Sequence, residues 1–147
     1  MEKVILRVEG SQTDSLGETT NLQFVSEGQF YHKDGMSYVL YNEVNSSGME
    51  GTKTLLKITD DSIKLVRKGK VEHEQFFSSG AKSASRYKTP YGDVKISVHT
   101  KKLDINKGFI SSSIHVSYEM AINDKWQSDN ELHIEITAAD KTSIYLN

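Results

Sequence analysis

The chain has 147 residues, a length typical of one domain, and its 18 Lys and Arg against 20 Asp and Glu give a formal net charge of −2. This balance argues against nucleic-acid binding, because phosphate recognition needs a concentrated basic surface. The chain contains no cysteine, which excludes disulfides, thiolate metal sites and cysteine nucleophiles and is typical of a reducing compartment.

The N-terminal segment, MEKVILRVEG, contains one short apolar run, VILRV, which Arg7 interrupts. A signal peptide needs an apolar core of about 7–15 residues, and a membrane helix needs about 20. We therefore expect a cytoplasmic protein that does not associate with a membrane.

The first half of the chain consists of short runs of β-branched and aromatic residues. Gly, Asn, Asp and Ser separate these runs at the spacing of β-hairpins. The runs are LQFVSEGQFYH, MSYVLYNEV, TKTLLKIT, SIKLVRKG and VEHEQFF. The segment that follows, SSGAKSASRYK, has no apolar stripe of period 3.6, so no helix is predicted there.

The only proline of the chain lies in the segment Thr89-Pro90-Tyr91-Gly92. Proline suits the second position of a type I turn because its ring presets φ, and it has no N–H to donate inside a central strand. We therefore predict a tight corner here between two antiparallel strands, with Pro90 at its second position.

Strict alternation of apolar and polar residues runs through three later segments, 94–98, 114–122 and 132–136. Alternation with a period of two indicates half-buried strands with one wet face. The alternation predicts an all-β chain.

The segment INKGF predicts a hairpin turn closed by Gly108 in the left-handed conformation, with a bulge. The register that follows from this turn places Val98 opposite Val116 and His99 opposite His115. Every apolar residue then meets an apolar partner.

The apolar phase changes along both strands of this hairpin, since Leu103 is out of step with Val98 and Phe109 with Ile114. Such a change indicates a bulge. Long, bent, consecutively paired antiparallel strands favour a closed up-and-down barrel over a flat sandwich. We predict about eight to ten strands in a single β-barrel domain, residues 1–147.

The segments LYNEV, GTKTLLKI, IKLVRKG, YKTPYGDVKISVHTKKLDI and NELHIEI resemble the pattern of the YwiB-like family of bacterial proteins. Its most specific part is the Tyr-x-Thr-Pro-Tyr-Gly segment, followed eight residues later by Thr100. The resemblance implies a calycin-like (lipocalin-type) β-barrel and a cytoplasmic setting, and it implies no activity. The closed barrel rests largely on this resemblance.

Arg67 is in phase with Ile63 and Leu65, so we expect it to point into the barrel together with Tyr118. An inward arginine needs an acidic or carbonyl partner, and Glu43 is the first candidate. Alternatively, Arg67 lies at a strand end and reaches water or closes the barrel mouth. The candidate ligand-binding residues are Arg67, Glu43, Tyr41, Tyr87, Tyr118 and Thr100. Tyrosines can line an amphipathic pocket, or they can simply fill the core.

Five histidines raise the question of a metal site, and they are His32, His73, His99, His115 and His133. A zinc site needs three or four ligands. The predicted register pairs only His99 with His115 and places His133 opposite Ala121. We predict no metal site and no cofactor.

The sequence contains no Gly-x-Ser-x-Gly, no His-Glu-x-x-His and no glycine-rich phosphate loop. We expect a non-enzymatic barrel that binds a small amphipathic or anionic molecule. The alternatives are a structural or interaction protein with a filled barrel, as a monomer or homodimer, and an enzyme whose site contains Arg67, Glu43 and tyrosines. The discriminating observation is whether the barrel interior is open or filled.

Overall fold

The computed structural model describes residues 2–42, 51–108 and 111–139. Within these ranges the chain forms ten β-strands. They are β1 (Glu2–Asp14), β2 (Thr19–Lys33), β3 (Met36–Asn42), β4 (Thr52–Ile58), β5 (Ile63–Gly69), β6 (His73–Phe77), β7 (Lys82–Thr89), β8 (Gly92–Lys107), β9 (Ser111–Ile122) and β10 (Lys125–Ala138).

The strands form one antiparallel sheet in the order β6-β5-β4-β3-β2-β1-β10-β9-β8-β7. Strands β6 and β7 at its two edges face each other, and Glu72 and Lys88 form one isolated bridge beside them. Glu72 N–H donates to Lys88 O at 2.9 Å, and Lys88 N–H donates to Glu72 O at 2.8 Å. The predicted all-β, up-and-down barrel is therefore confirmed, as a nearly closed barrel.

Apolar side chains from most strands form the core. Val98, Val116 and Ile134, from the three segments of predicted alternation, are buried as expected. On other strands, Leu6, Val39 and Leu56 have no exposed surface. Because successive side chains of a strand point to opposite faces, the intervening polar residues face water. The burial of these apolar side chains supplies the main driving force for closing the sheet.

The proline turn is confirmed. Thr89 pairs with Gly92, so the connection between β7 and β8 is the two-residue turn Pro90-Tyr91. The Thr89 side chain holds this turn, because its Oγ1 accepts a hydrogen bond from Tyr91 N–H at 3.1 Å and donates one to Gly92 O at 2.9 Å. Gly92 has a φ of 136°, which favours glycine.

The predicted register of β8 with β9 is wrong, by four residues before the bulge in β8 and by five after it. Val98 pairs with Met120 instead of Val116, and beyond the bulge His115 pairs with Asp104 instead of His99. The turn that was predicted to set the register differs, since Gly108 is not in the left-handed conformation. Before the bulge the shift is even, which leaves each side chain on its own face. Val98 and Val116 both lie inside the barrel as expected. The predicted bulge is present in β8, between Thr100 and Lys102.

The predicted pairing of the histidines is also wrong. His99 pairs with Glu119, and His115 lies between Asp104 on β8 and His133 on β10. The partner of Ala121 on β10 is Trp126 and not His133. The physical reason is the same shift in register, which moves every cross-strand neighbour along the wall of the barrel.

Candidate functional site

The barrel interior contains a cavity of about 500 Å³ in the half that faces the β1–β2 turn. Successive strands run in opposite directions, so the β1–β2, β5–β6, β7–β8 and β9–β10 turns all lie at this end, which we call the mouth. Eight strands line the cavity, all but β3 and β4. The barrel is therefore filled at one end and open at the other.

The cavity wall is mostly apolar. Several of its side chains are only partly buried, since they face the cavity while packing against the core. The apolar lining residues are Leu22, Leu65, Phe77, Val94, Ile96, Val98, Met120, Ile122 and Leu132. Such a wall favours an apolar group, because burial of apolar surface from both partners releases water.

Arg67 and His73 lie next to each other on the cavity wall, because they are cross-strand partners on β5 and β6. Arg67 Nη1 is 3.4 Å from His73 Nδ1, and His73 Nε2 is 2.9 Å from Ser85 Oγ on β7. A guanidinium has only donors, so Nδ1 accepts from Arg67 and Nε2–H donates to Ser85. This arrangement requires a neutral His73.

The pKa of His73 agrees with that assignment. Burial, the largest cause, and the positive charge of Arg67 together lower it from 6.5 to about 4, and the carboxylate of Glu74 opposes the shift. A buried imidazole beside a guanidinium is disfavoured in its charged form. His73 is therefore uncharged at neutral pH, and Arg67 supplies the positive charge of this cluster.

Tyr118 points into the cavity beside these two residues. Its ring lies 5.0 Å from that of Phe77. Burial raises the pKa of Tyr118, and the charge of Arg67 opposes this effect, so the side chain is a neutral phenol. Among the described residues no hydrogen-bond partner meets its hydroxyl, which remains available to a molecule in the cavity.

Three of the predicted site residues come together in this cavity, namely Arg67, Tyr87 and Tyr118. The ring of Tyr87 contacts that of His73 edge-on at 5.2 Å. The inward positions of Arg67 and Tyr118 match the sequence-based expectation, and Arg67 lies near the mouth, as the alternative interpretation had it. Glu43, its predicted partner, lies outside the described residues.

Two predicted site residues do not line the cavity. Tyr41 is buried in the core and packs against Phe24, with ring centroids 6.5 Å apart. Thr100 is fully buried, and its backbone holds the β6–β7 connection, since Thr100 N–H donates to Ala81 O and Thr100 O accepts from Gly80 N–H. Both side chains are buried in the core rather than exposed to the cavity.

The sequence analysis missed several polar lining residues, among them His73, Gln75 and Asn130. The signal was present in the segment VEHEQFF, where His73 and Gln75 are in phase with the inward residue Phe77. His73 was considered only as a metal ligand, and Gln75 was not considered at all.

Side chains close the barrel between β6 and β7, a junction that we call the seam. His73 bonds to Ser85 as above, Gln75 Nε2 donates to Ser83 Oγ at 3.2 Å, and Ser83 Oγ donates to Phe76 O at 3.2 Å. Elsewhere a continuous backbone ladder joins neighbouring strands. The seam is therefore the part of the wall that can open with the least loss of hydrogen bonding.

In the described part of the chain, no cluster of three His, Asp or Glu side chains is arranged to hold a metal ion. His115 Nε2 instead lies 2.9 Å from Glu131 Oε2 on the outer face. The described residues also contain no helix that is long and apolar enough to cross a membrane.

A family model described as "Domain of unknown function (DUF1934)" matches residues 6–134. The chain belongs to the DUF1934 family. The "Uncharacterized beta-barrel protein YwiB" of Bacillus subtilis (strain 168) is 26% identical to this DUF1934 chain over 109 residues, which cover 74% of this chain and 75% of that protein. The resemblance to the YwiB-like family is thereby confirmed.

The crystal structure of the ywiB protein from Bacillus subtilis matches this DUF1934 barrel with a TM-score of 0.83. The match covers 93% of this chain and 92% of that chain at 22% identity. At this level of identity the likeness shows a shared fold.

Proposed function

We propose that the protein is a non-enzymatic binder of a small amphipathic molecule, which it holds in the interior cavity. The observation that carries this proposal is the combination of an apolar wall with the unpartnered hydroxyl of Tyr118 in one cavity of about 500 Å³. This volume lies within the range of about 300–1,000 Å³ that is typical of ligand pockets.

Tyr118 adds a directional contact to the cavity. Its hydroxyl lies on the cavity wall, where it can form a hydrogen bond with a bound molecule. The same hydroxyl fixes the orientation of the ligand, because the surrounding wall offers mainly non-directional contacts. Tyr118 thus provides specificity, and the apolar wall provides affinity.

The enzyme interpretation has weaker support. General acid–base chemistry needs a group that exchanges a proton near neutral pH. The pKa of His73 is about 4, and both of its ring nitrogens already form hydrogen bonds within the protein. The described lining residues contain no Ser, His and acid arranged as a triad. The filled-barrel interpretation does not account for the cavity in one half of the barrel interior.

The test is binding of N-phenyl-1-naphthylamine, a neutral fluorophore whose emission rises in apolar surroundings. We expect the wild type to enhance its emission. Ile122→Trp, which fills the cavity, should abolish the enhancement, whereas Val25→Trp on the exposed outer face of β2 should not. Absence of enhancement in the wild type, or equal enhancement in both variants at unchanged melting temperature, would contradict the proposal.

A further inference from the structure

The outer surface of the seam carries a groove of about 360 Å³. Arg67 and His73 line this groove and also line the interior cavity. The two spaces therefore meet at the same pair of side chains, where side-chain contacts and not a continuous backbone ladder separate inside from outside.

Cationic side chains outnumber acidic ones in this groove. The cations are Arg67, Lys68, Arg86 and Lys88, and the carboxylates are Glu72 and Glu74. The Glu74 carboxylate already lies 3.6 Å from Lys64, and the Arg86 guanidinium lies 3.7 Å from Asp93.

Lys68 and Lys88 are both exposed, and neither forms a salt bridge within the part of the chain that the structure describes. The groove is thus a local concentration of positive charge on a chain whose net charge is −2. Such a concentration raises the local density of anions.

We propose that the seam holds the anionic head group of an amphipathic ligand, a phosphate or a carboxylate, while its alkyl chain lies in the interior cavity. This inference rests on the proposed function, because it needs the apolar part of the ligand inside the barrel. Arg67 contacts the head group from the cavity side, and Lys68 and Lys88 neutralise it from the groove.

The β1–β2 side of the mouth is a poorer place for an anion. The side chains Gln12, Thr20 and Asn21, which line the cavity there, are neutral, and the adjacent β1–β2 turn carries Asp14 and Glu18. A head group on that side would face these carboxylates, whereas a head group at the seam faces cations. The charges therefore favour a ligand whose anionic end lies against the wall of the barrel.

The experiment measures how well decyl phosphate, decanoate and decanol displace N-phenyl-1-naphthylamine. We expect the wild type to bind the preferred anion at least about tenfold more tightly than decanol. The double variant Lys68→Glu/Lys88→Glu should lose about tenfold in affinity for that anion and keep its affinity for decanol. A preference for decyl phosphate over decanoate identifies a phosphate head group, and the reverse preference identifies a carboxylate.

The matched control is Lys3→Glu/Lys33→Glu, which makes the same change in net charge on exposed positions of β1 and β2, far from the seam in the strand order. This control variant should retain the wild-type preference for the anion over decanol. Equal displacement by the anions and decanol in wild type, or equal loss in the seam and control variants, would overturn the seam site while leaving interior binding in place. Failure of the wild type to bind the fluorophore at all contradicts the proposed function itself.

Discussion

His73 Nε2 on β6 lies 2.9 Å from Ser85 Oγ on β7, and this hydrogen bond crosses the seam of the barrel. The other ring nitrogen of His73 accepts from Arg67. One imidazole therefore joins the two edges of the sheet and positions the cation of the cavity. The stability of the seam and the chemistry of the site depend on the same side chain.

Replacing the partner of this bond should weaken the barrel. Ser85→Ala leaves the buried Nε2–H of His73 without an acceptor, so we expect a loss of about 1–2 kcal/mol in the free energy of unfolding. Ser97→Ala, on the outer face of the neighbouring strand β8, is the control and should change stability by less than about 0.5 kcal/mol. Urea denaturation measures the free energy of unfolding of both variants. An equal loss in both would show that the hydrogen bond between His73 and Ser85 does not contribute to stability.

Acidification should destabilise the fold through His73. In the unfolded chain an imidazole takes up its proton as the pH falls through about 6.5, whereas folded His73 resists protonation until the pH nears 4. The unfolded state therefore binds more protons in this window, and stability falls as the pH decreases from 6.5 towards 4.

Thermal unfolding of wild type and His73→Gln between pH 6.5 and 5 measures this effect. The variant should lose less of its melting temperature over the window, because glutamine does not titrate. An identical loss in both proteins would contradict a neutral, buried His73.

Replacement by valine should affect the stability of the protein differently at two buried threonines. Thr100 Oγ1 is buried and forms no hydrogen bond within the described residues, so Thr100→Val should leave stability unchanged or raise it by about 1 kcal/mol. Thr52 Oγ1 accepts from Val71 N–H at 3.2 Å, so Thr52→Val should cost about 1–3 kcal/mol. Chemical denaturation of the two variants distinguishes them, and a loss in Thr100→Val would indicate that its hydroxyl has a partner.

Two glycines with positive φ should differ in their tolerance of alanine. At Gly92, with φ 136°, an added Cβ meets nothing within 4 Å, so only backbone strain of about 1–3 kcal/mol is expected. At Gly69, with φ 128°, a Cβ would lie 2.5 Å from Gly51 O and 3.2 Å from Thr52 Cα. Gly69→Ala should therefore lower the melting temperature more than Gly92→Ala, and the reverse order would contradict the described packing of β4 against β5.

The hydroxyl of Tyr118 should matter for ligands and not for folding. Tyr118→Phe should retain wild-type stability and bind naphthalene unchanged, but bind 1-naphthol about fivefold more weakly, in line with one neutral hydrogen bond of about 1 kcal/mol. Fluorescence titration measures both affinities. Tyr91→Phe, at a 96% exposed position, is the control, and a loss of naphthol affinity there equal to that in Tyr118→Phe would remove Tyr118 from the site.

The sequence by itself determined the strands and, where apolar and polar residues alternate strictly, the face on which a side chain lies. The strict alternation of residues 94–98 and the phase of Arg67 with Leu65 follow from the period-two geometry of a strand, which is local. The turn at Pro90 was equally readable, because a proline ring presets φ wherever it occurs.

Only the tertiary structure decided which residues meet. Alternation is unchanged by an even shift, so it could not distinguish Val116 from Met120 as the partner of Val98. The role of His73 emerged only when β5 and β7 placed Arg67 and Ser85 on its two ring nitrogens. Whether the interior is open was beyond the sequence for the same reason, since a cavity depends on how side chains from eight strands, distant in the chain, fill a shared volume.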